Sequence, residues 1–125
     1  MSRTITALEI QKKNTERVSV YLDGEFAFGL PLIDAAKLRK GQTLSESDIE
    51  ALRVVDEIAR AVDRAIRLLA RRPYSTAEVR RNLNQKDIPE DAVDQAIERL
   101  NTLGYLDDRA FARYWVDNRE QFKPR

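Results

Sequence analysis

The chain has 125 residues, 42% hydrophobic and 34% charged, with a net charge of +1, which suits one soluble globular domain or two very small ones. It holds neither His nor Cys, so imidazole acid–base work, thiolate catalysis, zinc sites and disulfides are excluded. Met1-Ser2-Arg3-Thr4 lacks the apolar core of a signal peptide and no run approaches membrane-spanning length, so a cytoplasmic protein is expected.

Residues 4–30 predict strands. "TITALEIQ" places Thr6, Leu8 and Ile10 on one face, and "RVSVYLDGEFAFGL" is a hairpin around Asp23-Gly24. A two-residue loop pairs Leu22 with Glu25 and sends Phe26 and Phe28 to the face opposite Val18, Val20 and Leu22. A three-residue loop, Leu22 to Gly24, pairs Tyr21 with Glu25 and lets Val18, Val20, Phe26 and Phe28 share a face. A small sheet needs one buried face. We therefore favour the three-residue turn with Gly24 left-handed, although Asp-Gly also suits the two-residue type.

"PLIDAAKLRKG" predicts a short helix from Pro31 to a stop at Gly41. Ser45 then caps a long amphipathic helix, with Ile49, Leu52, Val55, Ala59, Val62, Ile66 and Leu69 at intervals of three and four. Pro73 ends it. Ser75-Thr76-Ala77-Glu78 is a capping box for the next helix, with Val79 and Leu83 inward. Asp87-Ile88-Pro89-Glu90 caps another, with Val93, Ala96, Ile97, Leu100 and Leu103 inward and Gly104 as its stop. Asp107 caps the last helix, and Leu106 and Phe111 have the spacing of a hydrophobic staple. Two adjacent carboxylates at a helix start, Asp107 and Asp108, are read as satisfying backbone amides rather than as a catalytic pair.

Charge is unevenly spread. Residues 58–86 sum to +6, residues 87–108 to −6, residues 109–125 to +3 and residues 1–57 to −2. Arg60, Arg64, Arg67 and Arg71 recur at four, three and four, so they share a helical face beside the apolar seam. Asp56 and Asp63 stand four residues before Arg60 and Arg67 and can pair with them. Arg64 and Arg71 lack such an acid, and with Arg72 they are expected to be largely solvated. Arg72, Arg80 and Arg81 add to the local excess. The competing reading is a merely solvated helix face. The functional reading is a docking patch for phosphates or an acidic protein surface, which guanidinium groups recognise bidentately. The acidic face Glu90, Asp94 and Glu98 is read as solvent-facing or as a contact for basic loops. Tyr114 and Trp115 are expected to be partly exposed. No Gly-rich phosphate loop and no metal-ligand spacing is present. Three helices with a basic stripe also fit a small helix-turn-helix DNA-binding protein, which is the alternative from the residues themselves.

"LLARRPYSTAEVRRNL" followed by "AIERLNTLGYLDDRAFARYWVDNR", with "VYLDGEFAFGL" before them, resembles the RecX family, regulators of the RecA recombinase. The resemblance covers nearly the whole chain. It implies an α+β, mostly α fold: a small N-terminal antiparallel sheet, a three-helix repeat and the first helix of a second repeat. The organisation expected is residues 1–44 as a β-rich segment with a short helix, 45–107 as the long helix and first repeat, and 108–125 as an incomplete second repeat. Within it, Ile58 to Leu103 forms the full repeat and 108–122 the next helix. Lys123-Pro124 follows that helix as Arg72-Pro73 follows the earlier one, and the chain reads as truncated at its C-terminus. The resemblance implies a regulator without catalytic residues, cofactor or metal. It is expected to be a monomer that binds the RecA filament on single-stranded DNA, binds DNA directly only weakly, and does not engage membranes. Arg64, Arg67, Arg71, Arg72, Arg80 and Arg81 are the candidate partner-binding residues.

Overall fold

The computed structural model describes residues 1–118. It has the expected class: four antiparallel strands near the N-terminus, then helices. The elements are β1 (Arg3–Ile10), β2 (Arg17–Leu22), β3 (Glu25–Pro31), α1 (Leu32–Ala35), β4 (Thr43–Leu44), α2 (Glu46–Leu69), α3 (Thr76–Asn84), α4 (Glu90–Thr102) and α5 (Asp108–Asp117). Contacts divide the chain into two compact units, Met1–Ala59 and a second beginning at Arg60.

In the first unit the sheet order is β3-β2-β1-β4. The β2–β3 turn differs from the three-residue reading. Leu22 pairs with Glu25, and Asp23 (φ 50°) and Gly24 (φ 86°) are both left-handed, as a two-residue type I′ turn requires. Asp23 is held there by β1: its amide donates to the Thr4 carbonyl at 2.9 Å and its Oδ1 accepts from the Thr4 amide at 3.1 Å. A bulge supplies the single buried face that the longer turn was meant to provide. Val20 faces Phe28 but Tyr21 faces Phe26, so Ala27 is an extra residue that resets the alternation. Phe28 joins Val18 and Val20 in the core. Phe26 does not; it remains exposed and meets the Tyr21 ring edge-on, centroids 5.9 Å apart.

A second bulge corrects the reading of β1. Ile5 faces Leu22 while Ala7 faces Tyr21, so Thr6 is the extra residue. Ile5 and Leu8, rather than Thr6, Leu8 and Ile10, pack on the core. Thr6 Oγ1 instead accepts from the Gly24 amide at 2.9 Å, and Ile10 is exposed. The predicted helix to Gly41 is a single turn. Gly41 (φ 89°) leads into β4, a strand too short for its pattern to show in the sequence, which pairs Leu44 and Thr43 with Arg3 and Thr4. Ala35, Leu44 and Ile49 complete this core. Beside it Arg17 Nη2 donates to Asp56 Oδ1 at 2.7 Å, both side chains being largely buried. Gly29 makes room for that guanidinium: a Cβ there would lie 2.8 Å from Arg17 Nη2.

The long helix α2 begins as expected. The Asp48 amide donates to Ser45 Oγ at 3.1 Å and the Ser45 amide to Asp48 Oδ2 at 3.0 Å. Hydrogen bonds from the Ser45 amide and hydroxyl hold the Asp48 carboxyl below its ordinary value. In the second unit the capping box of Ser75 and Glu78 on α3 is complete. The start of α4 differs: Pro89 occupies the N-cap with no side-chain cap, and Asp87 takes a left-handed turn (φ 58°). Gly104 (φ 82°) closes α4 as a Schellman motif, its amide donating to the Asn101 carbonyl at 3.1 Å and that of Tyr105 to the Leu100 carbonyl at 2.9 Å. Val79 and Leu83 of α3, and Ala92, Val93, Ala96, Ile97 and Leu100 of α4, are buried. Leu103 is not; as the C-cap residue it lies past the last helical turn and is exposed. The remainder of the helix expected over 108–122, and Lys123-Pro124, lie outside the described residues.

Candidate functional site

The six candidate arginines fall into two groups. Arg64 Nε donates to Asn82 Oδ1 at 2.9 Å, linking α2 to α3. Arg72 Nη1 donates to the Pro73 carbonyl at 2.8 Å and Nη2 to Glu78 Oε2 at 3.2 Å, while its guanidinium carbon lies 3.8 Å from the centroid of the Tyr74 ring. Arg80 pairs with Asp94 across α3 and α4. Arg64 and Arg72 are therefore half-buried rather than solvated. Arg67, Arg71 and Arg81 are exposed, and their side chains have no ion pair or hydrogen bond among the described residues. Asp56, four residues before Arg60, pairs with Arg17, a partner that helical spacing cannot reveal.

The chain step that begins at Gly104 serves the same region. Asp107 Oδ1 caps α5, accepting from the amides of Arg109 at 3.0 Å and Ala110 at 3.1 Å. Asp108 reaches back to α3: its Oδ1 accepts from the Thr76 amide at 3.0 Å, so the carboxylate pair caps two different helices. That second contact was not visible in the sequence, since the two residues stand 32 apart. Both carboxylates are thus engaged with helix amides, as expected of capping groups. Pro73, Tyr74, Tyr105 and Ala110 line a groove of about 340 Å³ with Leu69, Gly104 and Asp107.

Glu78 sits at the centre of this arrangement. Desolvation pushes its pKa up, but the Ser75 amide and hydroxyl and the Arg72 guanidinium outweigh that and hold it below its ordinary value. A depressed carboxylate contributes stability that is present above its unfolded pKa and lost as pH falls through the folded one. The second unit should lose stability on acidification below the ordinary glutamate range, and Glu78→Gln should flatten that loss. Urea unfolding followed across that range checks it; an unchanged pH slope in the variant would show that Glu78 carries none of the effect.

Among the described residues no group of three His, Cys, Asp or Glu is placed to hold a metal ion, and no helix is long and apolar enough to cross a membrane. The region presents exposed cations and a groove lined in part by two tyrosines.

Comparison with known proteins gives a consistent assignment. The family model described as "Regulatory protein RecX N-terminal domain" matches residues 3–45, and that described as "RecX, first three-helix domain" matches residues 56–100. The regulatory protein RecX of Bacillus subtilis (strain 168) is 34% identical over 119 residues, covering 94% of this chain and 45% of that protein. That of Bacillus licheniformis is 37% identical over 114 residues (90% and 43%), and that of Leuconostoc citreum 34% identical over 125 residues (98% and 47%). The chain thus spans a little under half the length of these relatives. A crystal structure of regulatory protein RecX superposes with a TM-score of 0.78 at 29% identity, over 93% of this chain and 58% of that one. With both modules matched in order and the fold matched over nearly all its length, the chain belongs to the RecX family of regulatory proteins.

Proposed function

We propose that this chain is a non-enzymatic regulator that binds the RecA recombinase, chiefly as its filament on single-stranded DNA, and alters filament growth and ATP hydrolysis. The ATPase belongs to the partner. Membership of the RecX family supports this reading. The single structural observation that carries it is the set of exposed cations Arg67, Arg71 and Arg81, which stand apart from the engaged Arg64, Arg72 and Arg80. Guanidinium groups without a partner among the described residues are available for carboxylates or phosphates on another molecule. The engaged three act indirectly, by fixing α3 against its neighbours.

Replacing Arg67, Arg71 and Arg81 together with Glu tests it. Helical content should be nearly intact, because exposed substitutions usually change stability by about 0.5 kcal/mol or less each. Co-sedimentation with RecA filaments should be lost. Unchanged filament binding would show these arginines to be solvated surface. Tight binding to naked DNA without filament preference, weakening by roughly 0.9 log units per log unit of salt for each duplex phosphate contact, would favour a helix-turn-helix-like DNA-binding protein instead.

Length bears on potency. A protein that bridges several filament subunits gains from simultaneous contacts, and losing some of them could cost ~10²-fold or more in avidity. This chain should change RecA ATPase far less than a chain carrying further three-helix repeats in parallel titrations. Equal potency would assign the activity to the two modules present.

A further inference from the structure

The first unit carries a second surface, independent of the arginines. Strand β3 stands at the edge of the sheet, paired to β2 on one side only. Among the described residues no backbone or side-chain group outside β2 bonds to the main chain of Glu25–Leu30. Natural edge strands are usually guarded by charges or by an inward-pointing lysine. Here residues 26–30 read Phe-Ala-Phe-Gly-Leu, with no charge at all.

A side-chain pocket lies where this strand ends. Pro31, Leu32, Ile33 and Ala36 line a mainly apolar groove of about 390 Å³, with Glu16 at its rim. Ile33 is 77% exposed and its neighbour Leu32 42%, so the two form a small contiguous apolar patch. Residues 25–36 contain Glu25 and Asp34 and no base, with Lys37 following them, and the nearby Arg17 is already engaged by Asp56.

We propose that β3 and this groove form a docking site for an extended, basic segment of a partner protein, which adds to the sheet as a fifth strand and seats one aliphatic side chain in the groove. Main-chain hydrogen bonds along β3 supply affinity without sequence preference. The groove selects an apolar anchor, and Glu16, Glu25 and Asp34 select basic neighbours, the usual division of labour in strand addition. The site goes beyond the RecA reading and does not depend on it.

The test uses the full chain and a nine-residue peptide of alternating lysine and valine with one leucine. Fluorescence anisotropy measures binding, and amide exchange by NMR locates it. Binding should slow exchange at residues 26–30. The same peptide N-methylated at alternate amides cannot pair along β3, and should bind at least about tenfold more weakly for the loss of two hydrogen bonds. Ile33→Ser, an uncharged change at an exposed position that leaves the core intact, should weaken binding by about tenfold as the anchor contact is lost, and a glutamate-for-lysine peptide should fail to bind. Equal binding of the N-methylated peptide, protection elsewhere in the chain, or no binding at millimolar peptide would overturn the proposal. So would concentration-dependent dimerisation in sedimentation with β3 protected, which would assign the edge to a second copy of this chain.

Discussion

Asp56→Ala should destabilise the first unit by about 3–5 kcal/mol, the usual cost of removing one partner from a buried ion pair. That is a large share of the ~5–15 kcal/mol that holds a typical domain together. Arg17 is the reason. Its guanidinium is largely buried, donates to Asp56 at 2.7 Å, and lies over Gly29, where a Cβ would fall 2.8 Å from Nη2. Without the carboxylate it keeps its desolvation cost and loses the compensating charge. Replacing both partners with apolar residues, Arg17→Met with Asp56→Leu, should recover most of the loss, since the buried guanidinium is removed along with its carboxylate. Gly29→Ala should act through the same pair, because the new methyl group meets Arg17 Nη2 and pushes it off Asp56. Amide exchange of β2 reports these changes. A loss below about 1 kcal/mol for Asp56→Ala would mean that the pair behaves as a surface salt bridge.

Leu100→Ala should cost the second unit about 2–5 kcal/mol, as a fully buried leucine leaves a cavity that rigid neighbours close only in part. Leu100 is completely buried, as are Val79, Leu83, Val93 and Ala96. Its carbonyl also accepts the Tyr105 amide that closes α4, so the backbone has little freedom to collapse into the space. Leu103→Ala is the matched control. That leucine is 58% exposed, and its loss should stay within about 0.5 kcal/mol. Thermal unfolding followed by helical circular dichroism separates the two. Equal effects would place the core of this unit elsewhere.

Those two leucines show where the sequence was legible and where it was not. The caps at Ser45, Ser75, Asp107 and Gly104 could be read because each is a local contract between residues two to five apart. The inward face of α4 followed from periodicity as far as Leu100. Leu103 continues the pattern numerically, but the helix has already ended at Thr102. The sheet was harder. One extra residue at Thr6 and one at Ala27 invert the alternation without changing composition, so the chosen hairpin turn was wrong while its buried face was nearly right. The arginine stripe was visible as a spacing. Which arginines are engaged depends on Asn82, Glu78 and Asp94, and partners on other elements leave no mark in a helical period.

The strand order β3-β2-β1-β4 has a consequence for synthesis. Strands β1, β2 and β3 are consecutive and can pair once Pro31 has left the ribosome, within the microseconds that hairpins need, about 1–10 μs. The second edge of β1 must wait for Thr43 and Leu44, and Arg17 must wait for Asp56. At about 5–20 residues per second, the stretch from Pro31 to Asp56 takes about 1–5 s to make. Until Leu44 is made the nascent sheet has two open edges, and until Asp56 is made Arg17 lacks its carboxylate. A translational pause in this window would prolong the period in which the growing chain is most prone to mispair with its neighbours.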